Sequence, residues 1–167
     1  MILFFPEINY NPELIDSFIN KVMNLTKYNF PKVDEYGDKR WYNENGELHR
    51  LDGPAIIKSN GYQAYYQNGK RHRLDGPAII RADGSEEYYQ NNKLYRLDGP
   101  AIIRVDGYLE YWVNDKLHRE DGPAIIRPDG STFYYQNGLK HRLDGPAKIW
   151  ADGKEEYWVN DKQKILE

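Results

Sequence analysis

The chain of 167 residues contains no cysteine, which excludes disulfide frameworks, thiolate zinc sites and thiol nucleophiles together. No apolar run approaches the roughly 18 residues that a transmembrane helix needs. Lys and Arg number 23 against 26 Asp and Glu, so the chain has no basic excess to neutralise phosphates or to bind an anionic membrane. We therefore expect no nucleic-acid partner, and membrane binding is disfavoured.

The first ten residues have no Lys or Arg before the short apolar run from Ile2 to Phe5. This is not the pattern of a secretory signal, so a cytoplasmic protein is expected. The chain is instead rich in aromatic residues, with 15 Tyr and 4 Trp. Such a composition predicts a fold that either buries its rings or displays them.

A repeat organises most of the chain. The tripeptide Asp-Gly-Pro recurs every 23 residues without insertion, beginning at Asp52, Asp75, Asp98, Asp121 and Asp144. A second turn motif keeps the same register, at Asn60-Gly61, Asp83-Gly84, Asp106-Gly107, Asp129-Gly130 and Asp152-Gly153. A third pair follows, at Asn45-Gly46, Asn68-Gly69, Asn91-Asn92, Asn114-Asp115, Asn137-Gly138 and Asn160-Asp161.

The second and third motifs predict different types of loop. Every residue of the third pair tolerates a positive φ, which a two-residue type I′ turn requires at both positions. The second motif predicts a three-residue loop with Gly in the left-handed conformation. The segments between them, such as 78–81 and 86–90, are rich in β-branched and aromatic residues and short enough to be strands. Each unit is therefore predicted to be a hairpin followed by a short extended return.

A unit of this size cannot bury its own face, so neighbouring units must stack. We predict an all-β, elongated β-hairpin solenoid of about six 23-residue units over residues 41–167. A propeller is disfavoured because its blades need roughly 40 residues, and a parallel β-helix is disfavoured by the hairpin turns. Residues 1–40 are predicted to form an N-terminal strand, a capping α-helix that begins after Asn11, and a lead-in. Docking of this helix on a partner is the alternative to capping.

The sequence resembles the MORN repeat family, whose unit also has 23 residues and contains an aromatic-x-x-Gly-Lys-x-x-His pattern. Segment 66–72, from Tyr66 to His72, matches the aromatic-x-x-Gly-Lys start of this pattern and has the His one position earlier, and segment 135–141 matches in the same way without the Lys. After His72 the family's Gly is replaced by Arg73, so the chain resembles a divergent variant of the type seen in bacterial and viral proteins. The resemblance covers residues 41–167 and implies a hairpin-repeat scaffold that binds proteins, with a phospholipid role as a further implication.

A row of histidines occupies one repeat position, at His49, His72, His118 and His141. Two strands per unit would separate successive members by roughly 10 Å, so adjacent rings cannot share a metal ion. We therefore expect no metal site, and we expect each ring to be held by a neighbouring turn.

A row of arginines lies two residues before each acidic corner residue, at Arg50, Arg73, Arg96, Arg119 and Arg142. In an extended chain both side chains lie on one face. This spacing predicts a bidentate Arg–Asp contact that fixes the Asp-Gly-Pro corner. A row of anion-binding arginines is the alternative.

Two adjacent columns of mainly aromatic residues run through the six units. The first column is Tyr42, Tyr65, Tyr88, Tyr111, Tyr134 and Tyr157, and the second is Asn43, Tyr66, Tyr89, Trp112, Tyr135 and Trp158. Adjacent strand residues point to opposite faces, so one column is expected to pack inside and the other to be partly exposed. We favour a partner-binding surface made of Tyr65, Tyr88, Tyr111, Tyr134, Arg73, Arg96 and Arg119.

Catalysis finds little support. Ser59, Ser85 and Ser131 lie beside turns but lack the glycine elbow that exposes a nucleophile, and a regular repeat offers no unique cleft. We predict a monomeric, non-enzymatic interaction module that needs no cofactor and binds a protein partner. The alternatives are a glycan-binding aromatic array and a module that binds phospholipid headgroups.

Overall fold

The computed structural model describes Ile15 and residues 30–165. The predicted N-terminal helix and its capping role lie outside these residues apart from Ile15, which is helical. Between residues 30 and 165 every regular element is a β-strand, which confirms the all-β prediction for this part of the chain.

The strands are short, and most contain two residues. The first ten are β1 (Lys32–Val33), β2 (Lys39–Arg40), β3 (Ile56–Ile57), β4 (Gln63–Ala64), β5 (Tyr66–Gln67), β6 (Lys70–Arg71), β7 (Ile79–Ile80), β8 (Glu86–Glu87), β9 (Tyr89–Gln90) and β10 (Lys93–Leu94). The others are β11 (Ile102–Ile103), β12 (Leu109–Glu110), β13 (Trp112–Val113), β14 (Lys116–Leu117), β15 (Ile125–Ile126), β16 (Thr132–Phe133), β17 (Tyr135–Gln136), β18 (Leu139–Lys140), β19 (Lys148–Ile149), β20 (Glu155–Val159) and β21 (Lys162–Lys164).

Thirteen strands form one antiparallel sheet in the order β1-β2-β3-β4-β7-β8-β11-β12-β15-β16-β19-β20-β21. Each unit contributes two neighbouring strands, as the third unit shows: Ile79 pairs with Glu87 inside the unit, and Glu87 pairs with Ile102 of the next unit. Because the repeat has no insertions, this register recurs from unit to unit. The repeated hairpins therefore lie side by side in one large sheet.

A second set of hairpins lies beside this sheet. It consists of the pairs β5–β6, β9–β10, β13–β14 and β17–β18. Successive hairpins are joined by backbone hydrogen bonds, such as Asn92 N to Arg71 O at 2.9 Å and Asp115 N to Leu94 O at 3.1 Å. The second strand of each hairpin is the predicted extended return, which is confirmed. In the last unit the longer strand β20 pairs with both β19 and β21.

The predicted type I′ turns are present at five of the six positions. Asn68 and Gly69 have φ of 48° and 71°, and the equivalent pairs from Asn91-Asn92 to Asn160-Asp161 also have positive φ at both residues. The second turn motif also agrees with prediction, since its glycines, such as Gly84 at 90°, adopt the left-handed conformation. These turns fix the register of both sets of hairpins.

The first unit differs from the prediction. At Asn45-Gly46 only the Gly has a positive φ, and Gly46 N donates to Asn43 O, so this loop has three residues instead of two. The extra loop residue moves the preceding strand by one position. Trp41, whose N–H bonds to Ala55 O just as Tyr65 N bonds to Ala78 O, therefore begins the first aromatic column. The assignment of Tyr42 to the first column and Asn43 to the second was wrong by one residue.

The core is narrow and follows the repeat. The alanine after each Asp-Gly-Pro is fully buried, at Ala55, Ala78, Ala101, Ala124 and Ala147. Its carbonyl accepts a hydrogen bond from the preceding unit, for example at 2.7 Å from Tyr65 N to Ala78 O, so the backbones approach closely and leave room only for a methyl group. Larger buried side chains complete the core, namely Trp41, Ile79, Tyr89, Ile125 and Phe133.

Candidate functional site

Each Asp-Gly-Pro corner is held by the Arg that precedes it. Arg73 Nε donates to Asp75 Oδ1 at 2.9 Å, and Arg73 Nη1 donates to the carbonyl of Pro77 at 3.3 Å. The same two bonds recur at the corners of Arg50, Arg96, Arg119 and Arg142. The predicted Arg–Asp contact is confirmed, but its bidentate form is wrong. The turn brings the Pro carbonyl within reach of Nη1, so the guanidinium divides its donors between the carboxylate and the backbone.

The guanidinium also stacks on the first aromatic column. Arg73 Cζ lies 4.0 Å from the ring centroid of Tyr65. On its other side, a Cβ added to Gly76 would lie 3.0 Å from Arg73 Cζ, so the corner glycine is needed for this close approach. The arrangement recurs as Arg50 on Trp41, Arg96 on Tyr88, Arg119 on Tyr111 and Arg142 on Tyr134. Each arginine is thus fixed between a ring and a glycine.

The electrostatics of the corner follow from this packing. The hydrogen bond from Arg73 lowers the pKa of Asp75, and the Arg partners of Asp52, Asp98, Asp121 and Asp144 lower the pKa of those carboxyls too. The aspartate side chains remain 81–84% exposed, whereas the arginine side chains are only 22–24% exposed. The corners therefore present carboxylates to solvent above largely covered guanidinium groups.

Cavities lie between successive Asp-Gly-Pro corners. One, of about 400 Å³, is lined by Arg73, Tyr88, Gln90, Tyr95 and Arg96 together with both corner aspartates. Another, of about 470 Å³, is lined by the equivalent residues two units later, with a histidine in place of Tyr95. The structure therefore brings the sequence-predicted residues Arg73, Arg96, Arg119, Tyr88 and Tyr134 to the walls of repeated cavities.

Most members of the two aromatic columns are half-buried, whereas Trp41 in the first column and Tyr89 in the second are buried. The Tyr88 hydroxyl donates to Glu86 at 3.1 Å, and the Tyr89 hydroxyl donates to Glu87 at 3.0 Å, so each ring lies on the face of the residue two positions before it. The expected alternation of the columns agrees with these contacts, but the expected division into one inner and one partly exposed column is wrong, because most members of both columns are half-buried. The tyrosine rings of the first column are partly accessible, and an arginine covers one face of Tyr65, Tyr88, Tyr111 and Tyr134.

The second column contacts charged side chains. The Glu87 carboxylate is buried, forms an ion pair with Arg81 and accepts the Tyr89 hydroxyl, while Arg71 Cζ lies 4.0 Å from the Tyr89 ring centroid. Burial, together with the nearby Glu87 charge, raises the pKa of Tyr89 to about 12. Tyr108 lies outside both columns, and burial together with its hydrogen bond to Glu110 likewise raises its pKa to about 12. Glu87 and Tyr89 therefore lie in a packed interior in which their polar groups are paired.

The histidine row connects neighbouring units. The Nδ1 atoms of His49 and His118 accept hydrogen bonds at 3.1 Å from the backbone N–H groups of Asn68 and Asn137 in the following turns. His141 Nδ1 lies 2.8 Å from the side-chain oxygen of Asn160. The expectation that each ring is held by a turn is confirmed at these positions, and the turn belongs to the next unit. In the described part of the chain, no three His, Cys, Asp or Glu side chains are grouped closely enough to hold a metal ion.

Sequence reasoning missed the leucine beside each corner. Leu51, Leu74, Leu97 and Leu143 are 74–76% exposed, although they recur in a strict repeat. The sequence signal that could have indicated their exposure is the position of each leucine, which recurs in a loop between an Arg and an Asp. At the fourth corner this position is occupied by Glu120.

Comparison with known proteins gives no family assignment, since no protein-family model and no curated protein matches the chain. Among Ile15 and residues 30–165, no helix has the length and apolar character needed to cross a membrane.

Proposed function

We propose that this chain is a non-enzymatic interaction module that binds a protein partner along the corner side of its sheet. The observation that carries the proposal is the fivefold recurrence of the same corner, in which Arg, Asp, Gly and an aromatic ring hold each other in place. Between corners lie cavities of about 400 and 470 Å³. A repeated surface of this kind suits an extended partner better than a single small substrate.

The chemistry of the cavity walls supports a protein ligand. Tyrosine, tryptophan and arginine concentrate binding energy at protein interfaces, and each corner has an arginine stacked on a tyrosine or, at the first corner, on Trp41. Their side chains are already ordered by stacking and hydrogen bonds, so binding would cost little further side-chain entropy. Gln90 and Gln136 add amide groups that can bond to a peptide backbone.

The architecture that we propose is an elongated, monomeric solenoid of MORN-like units over residues 41–167, closed at its start by the N-terminal helix. The continuous register of the large sheet supports this proposal, because thirteen strands at about 4.8 Å would extend roughly 60 Å. Small-angle scattering tests it. The radius of gyration should exceed the roughly 15 Å of a compact globule of this length, and a value near 15 Å would contradict the solenoid.

The glycan-binding and phospholipid alternatives receive less support from the corners. A sugar ring would need a free aromatic face, whereas one face of Tyr65, Tyr88, Tyr111 and Tyr134 is covered by an arginine. A phospholipid headgroup would need free cationic groups, whereas each corner arginine already bonds to an aspartate.

The test is a pull-down from the source cell with the full chain as bait, followed by mass spectrometry. The double variant Gln90→Trp/Gln136→Trp fills the two cavities and should lose the partner that the unchanged chain captures. The control Val105→Trp changes an exposed turn residue outside the cavities and should retain it. Equal capture by both variants, or binding only to glycan resin or liposomes, would overturn the proposal.

A further inference from the structure

A row of exposed leucines and aspartates runs along the corners. Its members are Leu51-Asp52, Leu74-Asp75, Leu97-Asp98, Glu120-Asp121 and Leu143-Asp144, which we call the Leu–Asp row. The leucine side chains are 74–76% exposed, an unusual value for a large apolar residue that recurs in a strict repeat. Single exposed leucines need no explanation, but four at one repeat position form an ordered apolar edge.

The row is rigid. On one side of each leucine, an arginine is stacked on a ring and bonded to the Pro carbonyl, as Arg96 is on Tyr88 and to Pro100. On the other side, the aspartate accepts a hydrogen bond from the same arginine. Both members of each pair therefore project from a fixed backbone, which lowers the entropy that a partner must overcome on binding.

The spacing of the row selects the conformation of a partner segment. Each unit adds two strands to the sheet, so successive leucines lie roughly 9.4–9.8 Å apart. An α-helix presents a residue on nearly the same side every seven positions, about 10.5 Å along its axis. An extended strand presents same-side residues at about 6.8 Å and 13.6 Å, neither of which matches. The row therefore fits a helix with a heptad spacing of apolar residues.

The charge of the row selects the chemistry of that helix. Each aspartate bonds to its arginine through Oδ1, but its side chain is 81–84% exposed whereas the arginine is only 22–24% exposed, so the row presents carboxylates to a partner. Glu120 adds a further exposed carboxylate where the leucine is missing. A second copy of this chain would match the spacing but would bring its own aspartates against these carboxylates. A helix with Lys or Arg beside its apolar positions would place cations there instead.

We propose that the Leu–Asp row binds a basic amphipathic helix whose apolar residues recur every seven positions, each next to a Lys or Arg. This inference rests on the proposed function and specifies the partner's binding segment. From Leu51 to Leu143 the row spans four unit steps, roughly 39 Å, which four heptads of helix would cover at about 42 Å.

The experiment uses the full chain and two synthetic 28-residue helical peptides of the same composition. One carries Leu and Lys at heptad spacing, and the other carries them five residues apart. Fluorescence anisotropy should show the heptad peptide binding at least about tenfold more tightly. Equal affinity for the two peptides, or no binding of either, would overturn the inference.

Variants of the row sharpen the test. Leu74→Glu/Leu97→Glu should weaken binding of the heptad peptide by about tenfold or more, whereas Glu120→Leu completes the apolar row and should strengthen it by about threefold or more. The control Val105→Glu lies outside the row and should change the affinity by less than about twofold. Circular dichroism melts check that all the variants fold. An unchanged affinity in either row variant would contradict the inference.

Two further outcomes separate this inference from the proposed function. If the chain dimerises in sedimentation experiments, and Leu74→Glu/Leu97→Glu abolishes the dimer, the row binds a second copy and the helix proposal is wrong. If a native partner is lost on filling the cavities but unaffected by Leu74→Glu/Leu97→Glu, the proposed function stands and only this inference falls.

Discussion

The corner side of the sheet, where each Arg bonds to its Asp and stacks on a ring, repeats the same contacts five times. The opposite face, which carries Glu87, changes from unit to unit, and we call it the variable face. The position of the buried Glu87 is occupied by Ala64, Glu110, Phe133 and Glu156 in the other complete units. Each choice has its own partner: Glu87 pairs with Arg81, and Phe133 packs edge-on against Trp150 with centroids 5.6 Å apart. At the corner, an arginine, an aspartate, a glycine and an aromatic ring converge, and only the ring differs, with Trp41 at the first corner and a tyrosine at the others.

The difference separates two kinds of constraint. A packed interior accepts a different residue when a neighbour changes with it, because volume and polar pairing can be conserved jointly. The corner has no such freedom, since the guanidinium must fit between a ring and a glycine while bonding to a carboxylate and a carbonyl. Its constancy follows from this geometry.

The largest effect is expected on the variable face. Phe133→Ala leaves a cavity beside Trp150 and should cost about 3–5 kcal/mol in the free energy of unfolding measured with urea. Thr132→Ala, in the same strand but half-buried, serves as the control and should cost less than about 1 kcal/mol. A small effect of Phe133→Ala would mean that the variable face is loosely packed, despite Ala64 being tolerated at the equivalent position.

The next effect tests whether the corner acts as a unit. Gly99→Ala places a Cβ 3.0 Å from Arg96 Cζ, which should displace the guanidinium and cost about 1–3 kcal/mol. Once Arg96 is removed by Arg96→Ala, the same glycine substitution should cost much less. A double-mutant cycle should therefore give a coupling energy of about 1–2 kcal/mol. Additive effects would show that the glycine has a purely backbone role.

A smaller effect is expected at the type I′ turns. Gly69 has φ of 71°, so Gly69→Val places a β-branched residue in the left-handed region and should cost about 1–2 kcal/mol. The chain supplies its own control, because Asn92 occupies the equivalent position with φ of 66°. Gly69→Asn should therefore be nearly neutral in thermal melts. Equal losses for Val and Asn would show that space, rather than φ, limits this position.

Alkaline pH should affect the variable face. The pKa of Tyr89 is raised to about 12 from 10.0, so the neutral hydroxyl is favoured in the folded state. Its contribution to stability is complete below pH 10 and is lost as the pH rises towards 12. Tyr89→Phe should therefore make the free energy of unfolding fall less steeply between pH 10 and pH 12. The other tyrosines set the remaining slope, which the variant should leave unchanged.

Acid should reduce the stability contributed by the corners, and this is the smallest of the effects predicted here. The pKa values of the five corner aspartates are lowered by their arginines, from an ordinary value of 3.8. A lowered pKa stabilises the fold above that value, and the contribution is lost as the pH falls below it. Because these carboxylates are exposed, each contributes little. Asp75→Asn/Asp98→Asn should slightly reduce the loss of stability as the pH falls below 3.8, and a steeper loss would contradict this account.

Much of the fold could be predicted because the repeat is strict and the turns are specific. Asn-Gly, Asn-Asn and Asn-Asp pairs have few alternatives to the left-handed conformation, so five type I′ turns were predictable residue by residue. The first unit could not be placed correctly, since Asn45-Gly46 also fits a three-residue loop. The choice depends on how Trp41 aligns with Ala55, the residue before strand β3.

The candidate site was predictable in part. The spacing of Arg73 and Asp75 indicated their contact, because residues two apart in an extended chain share a face. The stacking of Arg73 on Tyr65 and its approach to Gly76 depend on the path of the chain around the corner. The exposure of Leu74 was also hidden, because a large apolar residue in a repeat is normally assigned to the core.

The sequence by itself determined the period, the antiparallel hairpins and the residues that meet within a few positions of one another, because turn chemistry and strand alternation act locally. Only the tertiary structure decided which groups meet between units and across the corner. His49 bonds to the turn at Asn68, and the carbonyl of Ala78 accepts from Tyr65 of the preceding unit. These contacts depend on how far successive units are shifted and how closely their backbones approach, and those distances are set by packing rather than by any single residue.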